Sequence, residues 1–273
     1  MAIKSIHELA ETSTEALVEG AEFIVNNSAS ETVTATKVSL ATLKDVINDG
    51  STAFDPTAIT GYDATKKQVL FEDNGTLKWK TRKIGYTNFL QDYNYILANS
   101  ACPASYTSLE QIIKVSICQR LNETSYSQCI TNSSVDNAVV GIGNHSNQGD
   151  KFKLYDGNEH LGNTSVTSYL QTYWIKAIAD GDNNCSLYTL IDNSGAYTID
   201  TLPEISQFTQ ETSSTNWTLA NKTFSVGISN QHNGTMMTVY EVQLFIDDVK
   251  VFDLQDPSGY KVYGNVRTLY WYE

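Results

Sequence analysis

The sequence of 273 residues is 41% hydrophobic and only 18% charged, and its formal net charge is −13. A surface this acidic repels nucleic-acid phosphates and anionic lipid headgroups, which argues against bulk nucleic-acid and membrane-surface binding. The 16 Tyr, 9 Phe and 16 Gly, together with many Thr, Ser and Asn, favour strands and polar turns.

The sequence shows no targeting or membrane-spanning segment. No apolar run approaches the roughly 18 residues that a membrane-spanning helix needs. Residues 1–8 lack the apolar core of a signal peptide, so we expect the protein to be made and kept in a cytoplasm. The cysteines are widely spaced without a C-x-x-C pair, which argues against zinc and redox sites and favours free thiols. They are Cys102, Cys118, Cys129 and Cys185.

Residues 1–50 form the first compositional unit. Residues 16–26 contain a short apolar strand candidate, residues 32–40 alternate β-branched side chains, and residues 40–47 carry apolar side chains on one helical face. Two short strands and a short helix cannot enclose much core, so this unit should need a partner surface. The apolar residues predicted to make that attachment are Val38, Leu40, Leu43, Val46 and Ile47.

Residues 51–100 are predicted to be a connector that contains a β-hairpin. Asn74-Gly75 lies between two alternating runs and is a strong signal for a type I′ turn. A hairpin alone is marginal in water, so it should pair with copies of itself or dock on the following domain. A cluster of basic residues also falls here, and a solvated face is favoured over a nucleic-acid patch because no aromatic stacking set accompanies it. These residues are Lys66, Lys67, Lys78, Lys80, Arg82 and Lys83.

From about residue 101 the pattern becomes a series of strand candidates with turn signals between them. They lie at 112–118, 138–144, 151–155, 170–179, 185–191, 224–229, 236–246, 250–254 and 269–272. No long helical pattern interrupts the series. The fold class predicted for this region is therefore all-β, an antiparallel β-sandwich of the jelly-roll kind.

Candidate catalytic groups do not come together in the sequence. The histidines lie in polar, turn-like contexts, and no Ser or Cys stands in a nucleophile elbow. Asp247 and Asp248 are adjacent and would point to opposite faces of a strand, so a turn between two strands is the simpler interpretation. We therefore predict that the chain is not an enzyme. The histidines are His7, His145, His160 and His232.

The best metal candidate is the run Asp-Gly-Asp-Asn-Asn at residues 180–184, where oxygen ligands alternate as calcium loops require. The positions that follow do not suit an EF-hand. Cys185 stands where Gly is needed, and Ile191 stands where the bidentate Glu is needed. A hairpin turn is favoured, and no metal or cofactor is predicted, although calcium binding stays open.

Three stretches resemble known protein families. Residues 36–44, Thr-Lys-Val-Ser-Leu-Ala-Thr-Leu-Lys, are similar to the K-V-T/S-L-x-x-L stretch that ends many bacteriophage fibre attachment segments. Residues 62–79 look like the D-A-T/S-K-x-Q-V-L … G-x-L-x-W junction of phage fibre, spike and collar proteins, in the expected order and spacing. Residues 224–228 and 240–254 resemble the closing strands of concanavalin A-like, or laminin-G-like, jelly rolls.

The resemblance to phage fibres implies a structural component of a bacteriophage virion, assembled in the host bacterial cytoplasm. It implies a homotrimer whose N-terminus attaches to phage capsid or tail proteins and whose distal domain contacts a host surface glycan. Because the connector is short and without repeats, a head fibre, capsid decoration or short tail fibre fits better than a long fibre. The expected domains are a virion-attachment segment (1–50), a connector with trimer contacts (51–100) and a jelly-roll β-sandwich (101–273).

The alternative function is a soluble carbohydrate-binding module without a virion-anchoring role. Sandwiches of the concanavalin A-like kind often bind sugars through an exposed aromatic residue and amide side chains. Trp174 lies in an apolar strand and is expected in the core, whereas Trp217 lies in a polar run and is expected to be exposed. The candidate glycan-binding residues are Trp217, Asn144, Asn183 and Asn184. A polysaccharide depolymerase would need paired acids in a groove, which the sequence does not display.

Overall fold

The computed structural model divides the chain into two compact units, residues 1–82 with the last two residues, and residues 83–271. The residues that it describes are 22–27, 34–39, 62–63, 68–73, 76–87, 89, 94–119, 128–133, 138–145, 149–166, 171–192, 194–227 and 236–272.

The smaller unit contains two antiparallel β-hairpins. Its strands are β1 (Glu22–Asn27), β2 (Thr34–Ser39), β3 (Gln68–Asp73) and the first part of β4 (Thr76–Thr87). The hairpin predicted at Asn74-Gly75 is confirmed, because Asp73 and Thr76 are paired across the turn. Strands β1 and β2 confirm the two strand candidates near the N-terminus. The helical face predicted at 40–47 lies outside the described residues.

In its described residues, the larger unit contains the rest of β4 and fourteen further strands. They are β5 (Tyr95–Ala101), β6 (Ser108–Gln119), β7 (Gln128–Ser133), β8 (Val139–His145), β9 (Gly149–Tyr155), β10 (Glu159–Ser165), β11 (Thr172–Asp180), β12 (Cys185–Ile191), β13 (Thr209–Ser214), β14 (Thr223–Gly227), β15 (Met236–Ile246), β16 (Val249–Asp253), β17 (Tyr260–Tyr263) and β18 (Arg267–Tyr272). Short 3-10 turns occur at Ile199–Thr201, Ile205–Gln207 and Pro257–Gly259. In the described ranges, no helix has the length and apolar character to cross a bilayer.

The strands form two antiparallel sheets that mix early and late parts of the chain. One sheet has the order β10-β9-β8-β7-β14-β5-β17, and the other has the order β13-β12-β11-β6-β15-β4-β18 with β16 and β3 attached at β15 and β4. Late strands thus lie between early ones: β15 pairs with both β6 and β4, and β14 pairs with both β7 and β5. This interleaving is a jelly-roll β-sandwich, and it confirms the all-β fold class.

The core lies between the two sheets and follows the alternation of the strands. On β6, Leu109 and Ile113 point inward and are at most 1% exposed, whereas Lys114 points outward. Phe152 of one sheet meets Tyr173 of the other edge to face, with ring centroids 5.0 Å apart. Each large side chain buried in this way contributes about 1.5–3 kcal/mol, so the inter-sheet layer is the main stabilising feature of the unit.

The sandwich unit begins at residue 83, inside the segment 51–100 that was expected to be a connector. Strand β4 pairs with β15, and β5 pairs with β14 and β17, so both belong to the sheets of the sandwich. Within the run 86–98, residues 86–87 end β4 and residues 95–98 begin β5. The division at residue 50 stays a prediction.

The two lateral edges of the sandwich differ. At one edge, β10 and β13 end their sheets and pack against each other. Gly162 of β10 permits this approach, because a Cβ there would lie 2.9 Å from the Glu211 carboxylate and 2.8 Å from the Phe152 carbonyl oxygen. At the other edge, β17 and β18 end the sheets, and the hydroxyls of Tyr86 and Tyr260 join the two layers at 2.8 Å.

Three cysteines in the described part of the chain are buried and form no disulfide: Cys102, Cys129 and Cys185. Burial raises the pKa of the Cys102 thiol to about 11 and raises the pKa of the Cys185 thiol further still. The free-thiol prediction is confirmed for these three residues. The side chain of Cys118 lies outside the described residues.

Candidate functional site

The described residues of the stretch 62–79 make several local contacts within the smaller unit. The register of the β3–β4 hairpin places Leu70 opposite Trp79. The backbone N–H of Asp63 donates to Gln68 Oε1 at 2.7 Å. The ring of Tyr62 meets Trp79 edge to face, with centroids 5.8 Å apart. Tyr62 and Trp79, at the two ends of this stretch, therefore contact each other.

The hairpin has an aromatic face and a basic face. Lys78, Lys80 and Arg82 alternate along β4, so they share the face opposite that of Trp79. Val69, the cross-strand neighbour of Lys80, lies on the basic face. All three basic side chains are half-buried. The edge-to-face contact on the aromatic face adds about 0.5–1.5 kcal/mol beyond the area that it buries.

The predicted attachment residues fall mostly outside the described part of the chain. Val38 lies on β2, paired with Phe23 of β1. The other four, Leu40, Leu43, Val46 and Ile47, lie outside the described residues. Their role in attachment stays a prediction.

Trp217 is buried, so the prediction that it is exposed is wrong. Its side chain is 0% exposed, it belongs to the inter-sheet core, and its indole N–H donates to the Val139 carbonyl oxygen at 3.3 Å. The neighbouring Asn216 is exposed, so the local run is polar while the indole turns inward. A ring with no accessible face cannot stack on a sugar, and Trp217 is a core residue.

Asn183 and Asn184 lie in the turn between β11 and β12. The Asp180 carboxylate accepts the backbone N–H groups of Asp182 and Asn184, both at 2.9 Å, and the Asn184 amide at 2.8 Å. These hydrogen bonds, that of the Asn184 side chain foremost, hold the pKa of Asp180 below its usual range. Asn183 adopts a left-handed backbone with φ 66°. The hairpin predicted at 180–184 is confirmed.

Asn144 lies apart from the other predicted glycan residues. It stands on β8, in the opposite sheet from the β11–β12 turn. Val139, which accepts the Trp217 indole hydrogen bond, is five residues away along the same strand, a separation of about 16 Å. The Trp217 backbone N–H instead donates to the Asn183 carbonyl oxygen at 3.1 Å. The structure brings Trp217 and Asn183 together but does not assemble the four residues into one site.

The outward face of the nine-stranded sheet carries a second hydrophobic cluster that the sequence patterns do not reveal. Residues 194–208, called the strap below, fold over this face and cover Trp174 and Ile112, with Phe208 in the same cluster. Trp174 is buried as predicted. The turn-forming run at 192–195 is the sequence signal that could have located the strap. Half-buried side chains around the cluster are Tyr188, Leu190, Tyr197, Ile199, Leu202, Ile205 and Phe245.

Asp192 anchors the strap to the sheet. Its carboxylate accepts the Trp174 indole N–H at 3.1 Å and the backbone N–H groups of Ala196 and Tyr197 at 2.8 and 3.3 Å. Burial raises the pKa of Asp192, but these hydrogen bonds outweigh burial and hold the pKa below its usual range. Lys114 Nζ lies 4.8 Å from the centre of the Trp174 ring and donates to the Tyr197 carbonyl oxygen at 3.2 Å.

A half-exposed aromatic pair lies towards the β18 side of the sandwich. Tyr240 and Trp271 meet edge to face with ring centroids 5.3 Å apart. Gly85 makes room for the indole, because a Cβ there would lie 2.8 Å from Trp271 Cζ3 and 2.8 Å from the Val239 carbonyl oxygen. Unlike Trp217, this pair keeps part of its surface accessible and could contact a sugar.

A Ser–Asp–His cluster lies at the edge formed by β10 and β13. The Ser214 hydroxyl and His160 Nε2, the latter at 3.0 Å, both contact Oδ2 of Asp156. Burial raises the pKa of Asp156, but hydrogen bonds led by that of Ser214 hold it below its usual range. The acid stands between the other two groups, so the histidine cannot take a proton from the serine as a triad requires. In the described ranges, no three His, Cys, Asp or Glu side chains are placed to hold a metal ion.

Comparisons with known proteins do not assign a family. No protein-family model and no curated protein sequence matches the chain. A native heptameric SAP-like pentraxin from Limulus polyphemus gives a TM-score of 0.40 at 10% identity, covering 59% of this chain and 75% of the pentraxin. A functionally unknown protein from Saccharomyces cerevisiae gives 0.34 at 9% identity, covering 66% of this chain and 93% of its own. Both similarities are too weak to carry an argument about function.

Proposed function

We propose that this chain is a non-enzymatic structural subunit of a bacteriophage particle, attached through its N-terminal unit and displaying the β-sandwich. The observation that carries the proposal is the contact network of Tyr62, Asp63, Gln68 and Trp79. Residues from both ends of a fibre-like junction sequence pack together there. This packing of the two ends of the stretch supports the proposal.

The junction is also continuous with the displayed domain. Strand β4 carries Trp79 of the motif and then Tyr86, which lies in the core of the sandwich. A motif in this position suits a linker between an anchoring segment and an outward-facing domain. The attachment itself is assigned to residues 1–50, where Val38, Leu40, Leu43, Val46 and Ile47 supply apolar side chains for a capsid or tail surface.

Incorporation into particles tests this proposal. Particles are assembled with the full chain, with a chain lacking residues 1–50, and with Ile191→Ala, which changes an exposed residue of the sandwich. We expect purified particles to contain the full chain and the Ile191→Ala chain but not the truncated chain. Circular dichroism and thermal melting verify that the truncated chain keeps the sandwich. Normal packaging of the truncated chain would show that residues 1–50 are not the anchor.

A second candidate function is a soluble carbohydrate-binding module, and the half-exposed pair of Tyr240 and Trp271 favours it. A glycan array with the full chain and Trp271→Ala tests this candidate, with Ile191→Ala as the control. Sugar-specific signals that Trp271→Ala removes and Ile191→Ala keeps would support sugar binding. If the chain is also absent from purified particles, the binding module replaces the virion subunit as the function.

A further inference from the structure

A buried glutamine of β6, Gln111, lies in the core of the sandwich and is 0% exposed. Within the described part of the chain, its Nε2 is the single buried side-chain nitrogen or oxygen that has no hydrogen-bond partner. Roughly nine in ten or more of the buried polar groups of folded proteins are paired. An unpaired amide nitrogen at this depth destabilises the fold, so it requires a physical explanation.

The oxygen of the same amide joins the two sheets. Gln111 Oε1 accepts the hydroxyl of Thr131 on β7 at 2.8 Å, and Thr131 is also 0% exposed. Strand β6 belongs to the nine-stranded sheet and β7 to the seven-stranded sheet, so this hydrogen bond crosses the core. Turning the amide over would pair Nε2 with the Thr131 oxygen but would leave Oε1 without a donor. In either orientation, one atom of the amide needs a further partner.

Apolar residues flank this polar pair in both sheets. Gln111 and Thr131 are each paired with two residues on neighbouring strands, and all four of these residues are buried in the inter-sheet core. Because paired residues of a sheet point to the same face, the four side chains surround the two polar groups and keep them from bulk solvent. They are Ala177 and Leu244 beside Gln111, and Val140 and Val226 beside Thr131.

We propose that a water molecule binds in the core between Gln111 and Thr131. It accepts a hydrogen bond from Gln111 Nε2 and donates one to Thr131 Oγ1, whose own proton goes to Gln111 Oε1 and whose lone pairs remain available. A buried water needs at least two polar partners, and this pair supplies both a donor and an acceptor. The site is a property of the folded sandwich and does not depend on the proposed function.

With the water bound, the polar pair becomes a closed ring of hydrogen bonds that links the two sheets. The ring forms only when β6 and β7 present Gln111 and Thr131 to the same part of the core. A shift of either strand by one residue would turn its polar side chain to the outer face and leave the other one buried and unpaired. The water site therefore favours the native alignment of the two sheets over shifted ones.

A high-resolution crystal structure of the full chain tests the site directly. We expect a water within about 3.2 Å of both Gln111 Nε2 and Thr131 Oγ1. Oxygen-17 relaxation dispersion, which counts long-lived internal waters in solution, should find one fewer in the double variant Gln111→Met/Thr131→Val, where apolar groups of similar size replace both partners. The matched control is Thr189→Val, which removes a buried hydroxyl that donates to Glu211 Oε1 at 2.6 Å and should leave the count unchanged.

The single variant Thr131→Val keeps the test decisive if the double variant does not fold. It removes the acceptor of the water and a partner of the amide, so it should lose the water and raise the unfolding equilibrium constant by about tenfold or more. Electron density without a water between Gln111 and Thr131 would overturn the proposal, as would a Gln111 amide paired with another protein group. Variants of this pair that keep the full water count, or a Thr189→Val control that loses the same water, would also contradict it.

Discussion

The side chain of Gln255 takes the place of a strand residue between β4 and β15. Thr87 and Tyr86 of β4 pair with Thr238 and Val239 of β15. Further along β4, the Gln255 amide bridges the two strands. Its Oε1 accepts the Ile84 N–H at 2.8 Å, and its Nε2 donates to the Ile84 and Tyr240 carbonyl oxygens at 2.9 and 3.1 Å. The same Nε2 lies 3.1 Å from Glu241 Oε2.

Replacing Gln255 with Ala removes all four of these contacts. Each hydrogen bond contributes about 0.5–1.5 kcal/mol net. Ile84 is half-buried, so water can satisfy part of what is lost. We therefore expect Gln255→Ala to lower the free energy of unfolding by about 2–4 kcal/mol, which is about 5–15 °C in melting temperature for a domain of this size.

The variant Gln255→Glu isolates the role of the amide donor. Glutamate keeps an acceptor for the Ile84 N–H but places a carboxylate against two carbonyl oxygens and Glu241, which raises its pKa in the folded state. A raised folded pKa makes the penalty grow as pH increases, so at pH 7 Gln255→Glu should be less stable than Gln255→Ala. At pH 5 the gap should narrow. Urea unfolding followed by tryptophan fluorescence measures both variants at each pH. The bridging role is refuted if Gln255→Ala unfolds within 0.5 kcal/mol of wild type, a margin of about one weak hydrogen bond.

Two further substitutions test buried groups. Trp217→Ala should lower the free energy of unfolding by about 3–5 kcal/mol because it leaves a large cavity, and a variant with wild-type stability in urea would contradict the burial of this side chain. Asp192→Asn should speed amide hydrogen exchange at Ala196 and Tyr197 by about tenfold or more, since one charge-assisted hydrogen bond is worth about 1.5–3 kcal/mol. The low pKa of Asp192 contributes stability that is present above about pH 4 and is lost as pH falls through the folded pKa. The acid limb of the stability curve should therefore be shallower in Asp192→Asn, and an unchanged limb would show that this carboxylate does not anchor the strap.

The strands of the central sheet could be predicted because their patterns are set by burial. The apolar runs at 112–118, 170–179, 185–191 and 236–246 correspond to β6, β11, β12 and β15. Trp174 and Ile175 are adjacent in β11, and both are buried. This agrees with strand alternation because the strap covers one face of β11 and the opposite sheet covers the other. Asn74-Gly75 likewise predicted the hairpin, because this dipeptide favours tight turns and the strands on either side of it pair.

The polar edge strands and the location of Trp217 could not be predicted in this way. Strands β10 and β13 read Glu-His-Leu-Gly-Asn-Thr-Ser and Thr-Gln-Glu-Thr-Ser-Ser, which contain few apolar side chains because they close the edge through polar contacts. Trp217 lies among polar neighbours, and its burial depends on a contact with Val139, far away in the sequence. Long-range contacts of this kind leave no periodic signal in one chain.

The protonation state of the buried thiols determines how reactive they are towards disulfides and oxidants. Thiol–disulfide exchange and oxidation proceed through the thiolate, and burial raises the pKa of Cys102 and Cys185 well above neutrality. At neutral pH these two thiols are therefore mainly protonated, which slows their exchange and oxidation. The core holds these two side chains as apolar groups, and its packing does not depend on a disulfide at either position.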